Sequence, residues 1–373
     1  MSFKHRLRQR YDYGHLQERN LTVREVGRHF GFHEVDMETW STKSEEAIPS
    51  SCKIPRLNIP TDLPRSLHID NWFDGGKSET ISSSFKVKAP RPATNVSELY
   101  TSLRYVLTWA NREDFKLCCS VDAVICCSAL RSISLTPCHR RSAWEFAVYF
   151  YQNKLFIDSR ERKPGEAEFL RHEDHEDTFG RWGKKFEDVI RHGDHQNNSY
   201  RGQDVDVRVN RIVTIGSRRI LTTAKVSCQL ADPDQEEVSN YIELKTHNEL
   251  QNWQQTKGFN QYKSQKVWAH SALVGLQTVY FGLRTKEGEL LEIRRHTTEE
   301  LAQLGRNYWK PHQMLSFVDE LLDWVSDISV EGLTYTLSYD GDDIIELTWD
   351  DHPDLRNVVQ EKFPLMQRPM FGA

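Results

Sequence analysis

Apolar positions along the chain follow two rhythms, and the switches between them predict the elements. In SELYTSLRYVLTWANR, residues Leu99, Leu103, Val106, Leu107 and Ala110 recur at helical spacing behind Ser97, a residue suited to an N-cap. FKLCCSVDAVICCSAL, AWEFAVYFY and KLFID then read as a β-rich stretch turning at residues 151–154. GRWGKKFEDVIRHG returns to helical spacing with Trp182, Phe186, Val189 and Ile190. Residues 205–228 predict a hairpin turning at Gly216 and Ser217, followed by the strand YIELKT. QYKSQKVWAHSALVG is a predicted helix with Val267, His270 and Val274 on one face. TVYFGLR and ELLEIRR form a second hairpin around residues 286–288. A long helix with Leu315, Val318, Leu321, Leu322 and Val325 follows, then two short strands, LTYTLSY and IIELTW. Hairpins interleaved with helices, and no internal repeat, predict one α/β domain with mixed sheets over residues 94–373. Residues 1–93, with prolines at 49, 55, 60 and 64, read as an extended segment packing on that core.

Composition narrows the class. A 373-residue chain that is 38% hydrophobic, with 10 Trp, supports a sizeable core and excludes a mostly disordered protein. The net charge of −5 excludes a generic polyanion binder, so any nucleic-acid surface must be a local basic patch. Seven cysteines without a CxxC pair, two doublets among them (Cys118 with Cys119, Cys126 with Cys127), are expected as buried, reduced thiols on strands. No apolar run nears the roughly 20 residues of a membrane span, and no hydrophobic leader opens the chain, so an intracellular protein without membrane contact is expected. The basic start MSFKHRLRQR is either a nuclear-import or nucleic-acid-binding arm or a solvated end. RHEDHED reads as a solvated loop, and YDGDDIIELTWDDHPD as a solvated rim or a docking surface for a basic partner.

The chemistry-bearing stretch is NYIELKTH. Strand side chains alternate, so Glu243 and Lys245 share a face. Glu-x-Lys closing an apolar strand is half of a metal-dependent nuclease signature; the other half is a cluster of carboxylates for Mg²⁺ or Mn²⁺. Glu187 in WGKKFE is one candidate. The neighbouring strand, ILTTAKVSCQ, instead offers Lys225 and Ser227.

WGKKFE, a hairpin with IGS at its turn, KVSC, YIELKT, KVWAHSAL and YFGLRTKEG stand in an order that resembles the DXO-type decapping exonucleases, from about residue 95 to 330. The resemblance implies their fold, two mixed β-sheets packed together and flanked by helices. It also implies metal-dependent removal of aberrant RNA 5′ ends. Carried over position by position, the family's helix glutamate is Glu187, and its strand glutamate and lysine are Glu243 and Lys245. Its Glu-x-Asp pair falls on Lys225 and Ser227, its glutamine on His270, and an upstream arginine on Cys127. Two charges about 4 Å apart interact by about 4 kcal/mol at an effective dielectric near ~20. Exchanging two carboxylates for an ammonium and a hydroxyl therefore removes much of the drive for a divalent ion.

The resemblance thus implies a catalytically degenerate member of the family with no metal cofactor. Its expected setting is the nucleus of germ cells, in piRNA precursor transcription. There it would protect nascent transcripts from decapping, splicing, termination and decay. The implied partners are Rhino and Deadlock-like proteins of a heterochromatin complex, and RNA 5′ ends. Lys184, Lys185, Lys225, Lys245 and His270 are the RNA-contact candidates; the retained charges either line such a channel or form a buried ion-pair cluster. The alternative is an active metal-dependent decapping and 5′–3′ exonuclease in which Asp206, opposite Ser227 in the hairpin, joins Glu187 and Glu243 around Mg²⁺ or Mn²⁺.

Overall fold

The computed structural model describes residues 6–10, 39–42, 65–66, 100, 102–103, 106–107, 121–139, 141–159, 182–183, 185–187, 189–190, 208–225, 227–229, 241–341 and 344–362. Its strands are β1 (Arg6–Arg10), β2 (Thr39–Thr42), β3 (Arg65–Ser66), β4 (Ala123–Ile125), β5 (Trp144–Tyr151), β6 (Lys154–Ser159), β7 (Arg208–Ile215), β8 (Arg218–Lys225) and β9 (Cys228–Gln229). β10 (Tyr241–Asn248), β11 (Thr278–Arg284), β12 (Glu289–Thr297), β13 (Thr334–Tyr339) and β14 (Ile344–Trp349) complete them. Nine of these form a mixed sheet in the order β1-β14-β13-β5-β6-β4-β8-β7-β2, and five form a second, β3-β12-β11-β10-β9. β4 runs parallel to both β6 and β8, and β10 parallel to β11, so both sheets are mixed.

The helices are α1 (Cys127–Leu135), α2 (Trp253–Gly258), α3 (Ser264–Ala272), α4 (Thr298–Gly305), α5 (Pro311–Ile328) and α6 (Pro353–Lys362). A π turn, Phe259–Lys263, joins α2 to α3. The main core draws on both sheets and on α1, α3, α4 and α5: Ile125, Ile157, Trp268, Phe281, Phe317 and Leu321 all belong to it. The outer face of the nine-stranded sheet is covered by Leu103, Leu107, Leu355 and Val358. The outer face of the five-stranded sheet is covered by Trp182, Phe186 and Ile190.

The predicted α5 stripe is realised, with Leu315, Val318, Leu321, Leu322 and Val325 all buried. The β7–β8 hairpin turns at Gly216 and Ser217 as its sequence predicts. Gly216 adopts φ +60°, and a Cβ there would meet the Asp319 carboxylate at 2.0 Å, so α5 pins the turn where only glycine fits.

Three expectations are corrected. Cys126 and Cys127 do not share a strand: β4 ends at Ile125, and α1 begins at Cys127 because Ala129, Leu130 and Ile133 bury at helical spacing. Cys126, Cys127 and Cys228 are buried, and Cys138 is half-buried. The hairpin does not run to residue 228 either. β8 ends at Lys225, the chain crosses between sheets, and Cys228 pairs with Ile242 of β10. Lastly, the basic start is not a bare end: Arg6–Arg10 is the edge strand on β14, with Arg8 opposite Glu346. β2 and β3 likewise edge β7 and β12. Cys118, Cys119 and the RHEDHED loop lie outside the described residues.

Candidate functional site

β10, the α2–α3 crossover and β11 form a parallel βαβ unit, which lays α3 over one face of the five-stranded sheet. Alternation along β10 splits its residues. Ile242 and Leu244 point at the layer of Trp182, Phe186 and Ile190, whereas Glu243 and Lys245 point the other way, toward α3.

Glu243 is 3% exposed and is the hub of the site. Its carboxylate is ion-paired with Lys245, and its Oε1 lies 3.5 Å from His270 Nε2 on α3. Ser227 Oγ donates to its Oε2 at 3.5 Å and accepts from the Leu244 backbone N–H at 3.2 Å, so the sheet-to-sheet crossing is tied to β10 at this spot. The other ring nitrogen of His270, Nδ1, lies 3.7 Å from Cys127 Sγ at the first turn of α1. Cys127 packs with Ala224, Tyr241, Val274 and Leu276, which form the floor.

The electrostatics follow. Burial alone would push Glu243 up, but Lys245 and His270 outweigh it and hold the carboxyl at about 2. Burial alone would push His270 down, but Glu243, with Cys127 assisting, lifts it to about 9, so the ring is an imidazolium at neutral pH.

A divalent ion needs clustered oxygen donors. Here the buried carboxylate is held by two cations, His270 carries protons on both nitrogens, and a serine hydroxyl stands beside them. Among the described residues no three His, Cys, Asp or Glu side chains gather as a metal would need. This donor set does not fit a divalent ion, and it suits an anion better.

The structure thus joins Cys127, Ser227, Glu243, Lys245 and His270. Glu187 is half-buried on the helical stretch that covers the opposite face of β10, and Lys185 is half-buried beside it. Lys225 ends β8 in the other sheet, with its side chain outside the described residues, as are Lys184 and Asp206 altogether. The described partners of Glu243 are Lys245 and His270, and a Lys225–Glu243 pair lies outside the described side chains.

Residues that periodicity passed over also converge here. Lys263, at the end of the π turn, is half-buried and pushed down to about 8, by burial first and then by Lys245, Lys266 and Arg284. A signal existed: between Glu249 and Glu287 the chain has no Asp or Glu, yet carries Lys257, Lys263, Lys266, Arg284 and Lys286.

The family model for the RAI1-like PD-(D/E)XK nuclease matches residues 82–364. The chain belongs to that family. Over 248 residues it is 24% identical to the decapping and exoribonuclease protein of Xenopus laevis, covering 61% of each chain. With the Homo sapiens decapping and exoribonuclease protein it shares 25% identity over 214 residues, covering 54% of this chain and 53% of that protein. The matches thus span between half and three fifths of these curated relatives. Candida albicans Rai1, solved with pU5 and Mn²⁺, superposes with a TM-score of 0.57 at 18% identity, over 69% of this chain and 77% of that one. Scheffersomyces stipitis Rai1 does so at 0.55 and 18%, over 69% and 75%. The fold is therefore the Rai1/Dxo decapping-nuclease fold, two mixed sheets with helices.

Proposed function

We propose that this RAI1-like chain is a non-hydrolysing member of its family that grips RNA 5′ ends without a metal. It is of the kind represented by the germline piRNA-pathway protein Cutoff. In this reading it works in the nucleus, within a complex of Rhino and Deadlock-like proteins at heterochromatic source loci. There it shields nascent piRNA precursors from decapping, splicing, termination and decay.

The partner set of Glu243 carries the reading. Where metal chemistry requires free carboxylates, the buried carboxylate of Glu243 is neutralised by Lys245 and His270. With Lys263 added, the described charges around it sum to an excess of cations, which attract a terminal phosphate. Lys245 and His270 would hold the phosphate oxygens, and Glu243 would orient both donors. Among the described residues, the Glu243 carboxylate is engaged by Lys245 and His270 and so is not a free base for water.

The second reading, an active Mg²⁺- or Mn²⁺-dependent decapping and 5′–3′ exonuclease, draws on the hairpin register. Arg208 pairs with Lys225, so an unbroken ladder would put Asp206 opposite Ser227.

Incubating 5′-monophosphorylated and capped RNA with Mn²⁺, beside a Glu243→Ala control, decides between them. The proposal expects no cleavage by either protein and retention of RNA by the unaltered chain. Cleavage that disappears in the control overturns it and makes Asp206 the next residue to substitute.

A further inference from the structure

The segment that delivers Lys263 and His270 to the site carries a second set of residues exposed to solvent. Trp253 is 69% exposed and Tyr262 53%, large aromatic surfaces left in water on one continuous helical element. Trp253, Lys257, Tyr262 and Lys266 are all exposed and follow one another at spacings of four, five and four residues. The five-residue step crosses into the π turn Phe259–Lys263, whose wider turn reduces the rotation between Lys257 and Tyr262. Each aromatic has a partner that steadies it. Lys257 Nζ lies 5.1 Å from the Trp253 ring centre, and the His139 ring lies 6.4 Å from that of Tyr262. Nothing in the segment repels an anion, since no Asp or Glu occurs between Glu249 and Glu287.

Alternating aromatic and cationic groups on an exposed, acid-free helical segment do not suit an apolar peptide, which needs a groove. They suit a single-stranded nucleic acid, whose bases stack on any π face while its phosphates meet lysines. Nine residues of helix separate Trp253 from Tyr262 by about 13 Å. Stacked rings sit about 4.5–7 Å apart. The two aromatics therefore take two different bases and do not clamp one.

We propose that Trp253, Lys257, Tyr262 and Lys266 form a stacking platform for single-stranded RNA, holding nucleotides that follow the 5′ end. The placement of that end beside Lys245 and Lys263 rests on the 5′-end reading given above; the platform itself does not.

Binding of two 5′-monophosphorylated oligouridines, a dinucleotide and a dodecanucleotide, to the full chain in EDTA tests this by fluorescence anisotropy. Trp253→Ala and Tyr262→Ala are each expected to weaken the dodecanucleotide about tenfold and to leave the dinucleotide unchanged. Trp253→Phe restores stacking. Lys263→Gln weakens both ligands. Both aromatics are exposed, so matching thermal melts will show that the variants fold. Unchanged dodecanucleotide binding by the double alanine variant overturns the platform, whatever Lys263→Gln does. A dodecanucleotide that binds and responds to Trp253 and Tyr262, with no dinucleotide binding by the unaltered protein, supports the platform and overturns the 5′-end reading. No binding of either oligonucleotide overturns both.

Discussion

The two faces of β10 are held by different forces. On one, Ile242 and Leu244 meet Trp182, Phe186 and Ile190, and the contact is close enough that a Cβ on Gly282 of the next strand would lie 2.7 Å from the Phe186 ring. On the other, Glu243, Lys245 and His270 satisfy one another by charge. Apolar packing depends on volume and is indifferent to charge. The ionic face depends on sign and on each group having its complement. One face can therefore keep the fold while the other changes its chemistry, provided the charges still close on themselves.

Four substitutions break or sharpen this contrast. Phe186→Ala empties the packed face and is expected to cost about 3–5 kcal/mol in urea unfolding, with no effect on the His270 titration. Gly282→Ala overfills the same face against Phe186 and Leu290; a cost of about 1–3 kcal/mol is expected in the same assay. Glu243→Gln acts on the ionic face. Because Lys245 keeps 34% of its side chain in solvent, the cost should be about 1–2 kcal/mol, below the ~3–5 of a fully buried broken pair. Its clearer signature is in NMR, where His270 should fall from about 9, Cys127 alone being left to oppose burial.

The smallest effect is in the pH profile. His270 is raised from 6.5 to about 9, so its stabilisation is complete below 6.5 and is lost as pH rises toward 9. Glu243 is lowered from 4.5 to about 2, so its share is complete above 4.5 and is lost as pH falls toward 2. The pair is at full strength between 4.5 and 6.5. His139, pushed from 6.5 down to about 4 by burial and then Lys266, works in the opposite sense, losing stability as pH falls through that range. His270→Gln should therefore remove the alkaline loss measured by thermal melting and leave the acid loss due to His139. An alkaline limb that survives His270→Gln would contradict the ionic account.

Elements whose burial follows one period were legible in the chain. The Trp182, Phe186 and Ile190 stripe, the β11–β12 hairpin and α5 stand where spacing put them, and the β7–β8 hairpin turns where predicted but ends at Lys225. The misreading at Cys126 and Cys127 has a plain cause: no glycine, proline or polar cap separates β4 from α1, so apolar residues run from a strand into a helix without a mark. α4 escaped the periodic reading although Thr297 and Glu300 form a capping box at its start. In the site, the shared face of Glu243 and Lys245 was legible because it follows from alternation within one strand. Lys263 was not, because its direction is set by the π turn, which no residue spacing announces.

By itself, the sequence determined which residues must be buried and that Glu243 and Lys245 face the same way. These are properties of local periodicity and residue chemistry. Tertiary structure decided which charges meet. Cys127, Ser227, Glu243 and His270 come from α1, the crossing between sheets, β10 and α3, and are brought together by parallel pairing of β10 with β11 and a helix laid across them. Coulomb energy depends on distance through space, and separation along the chain carries no information about it.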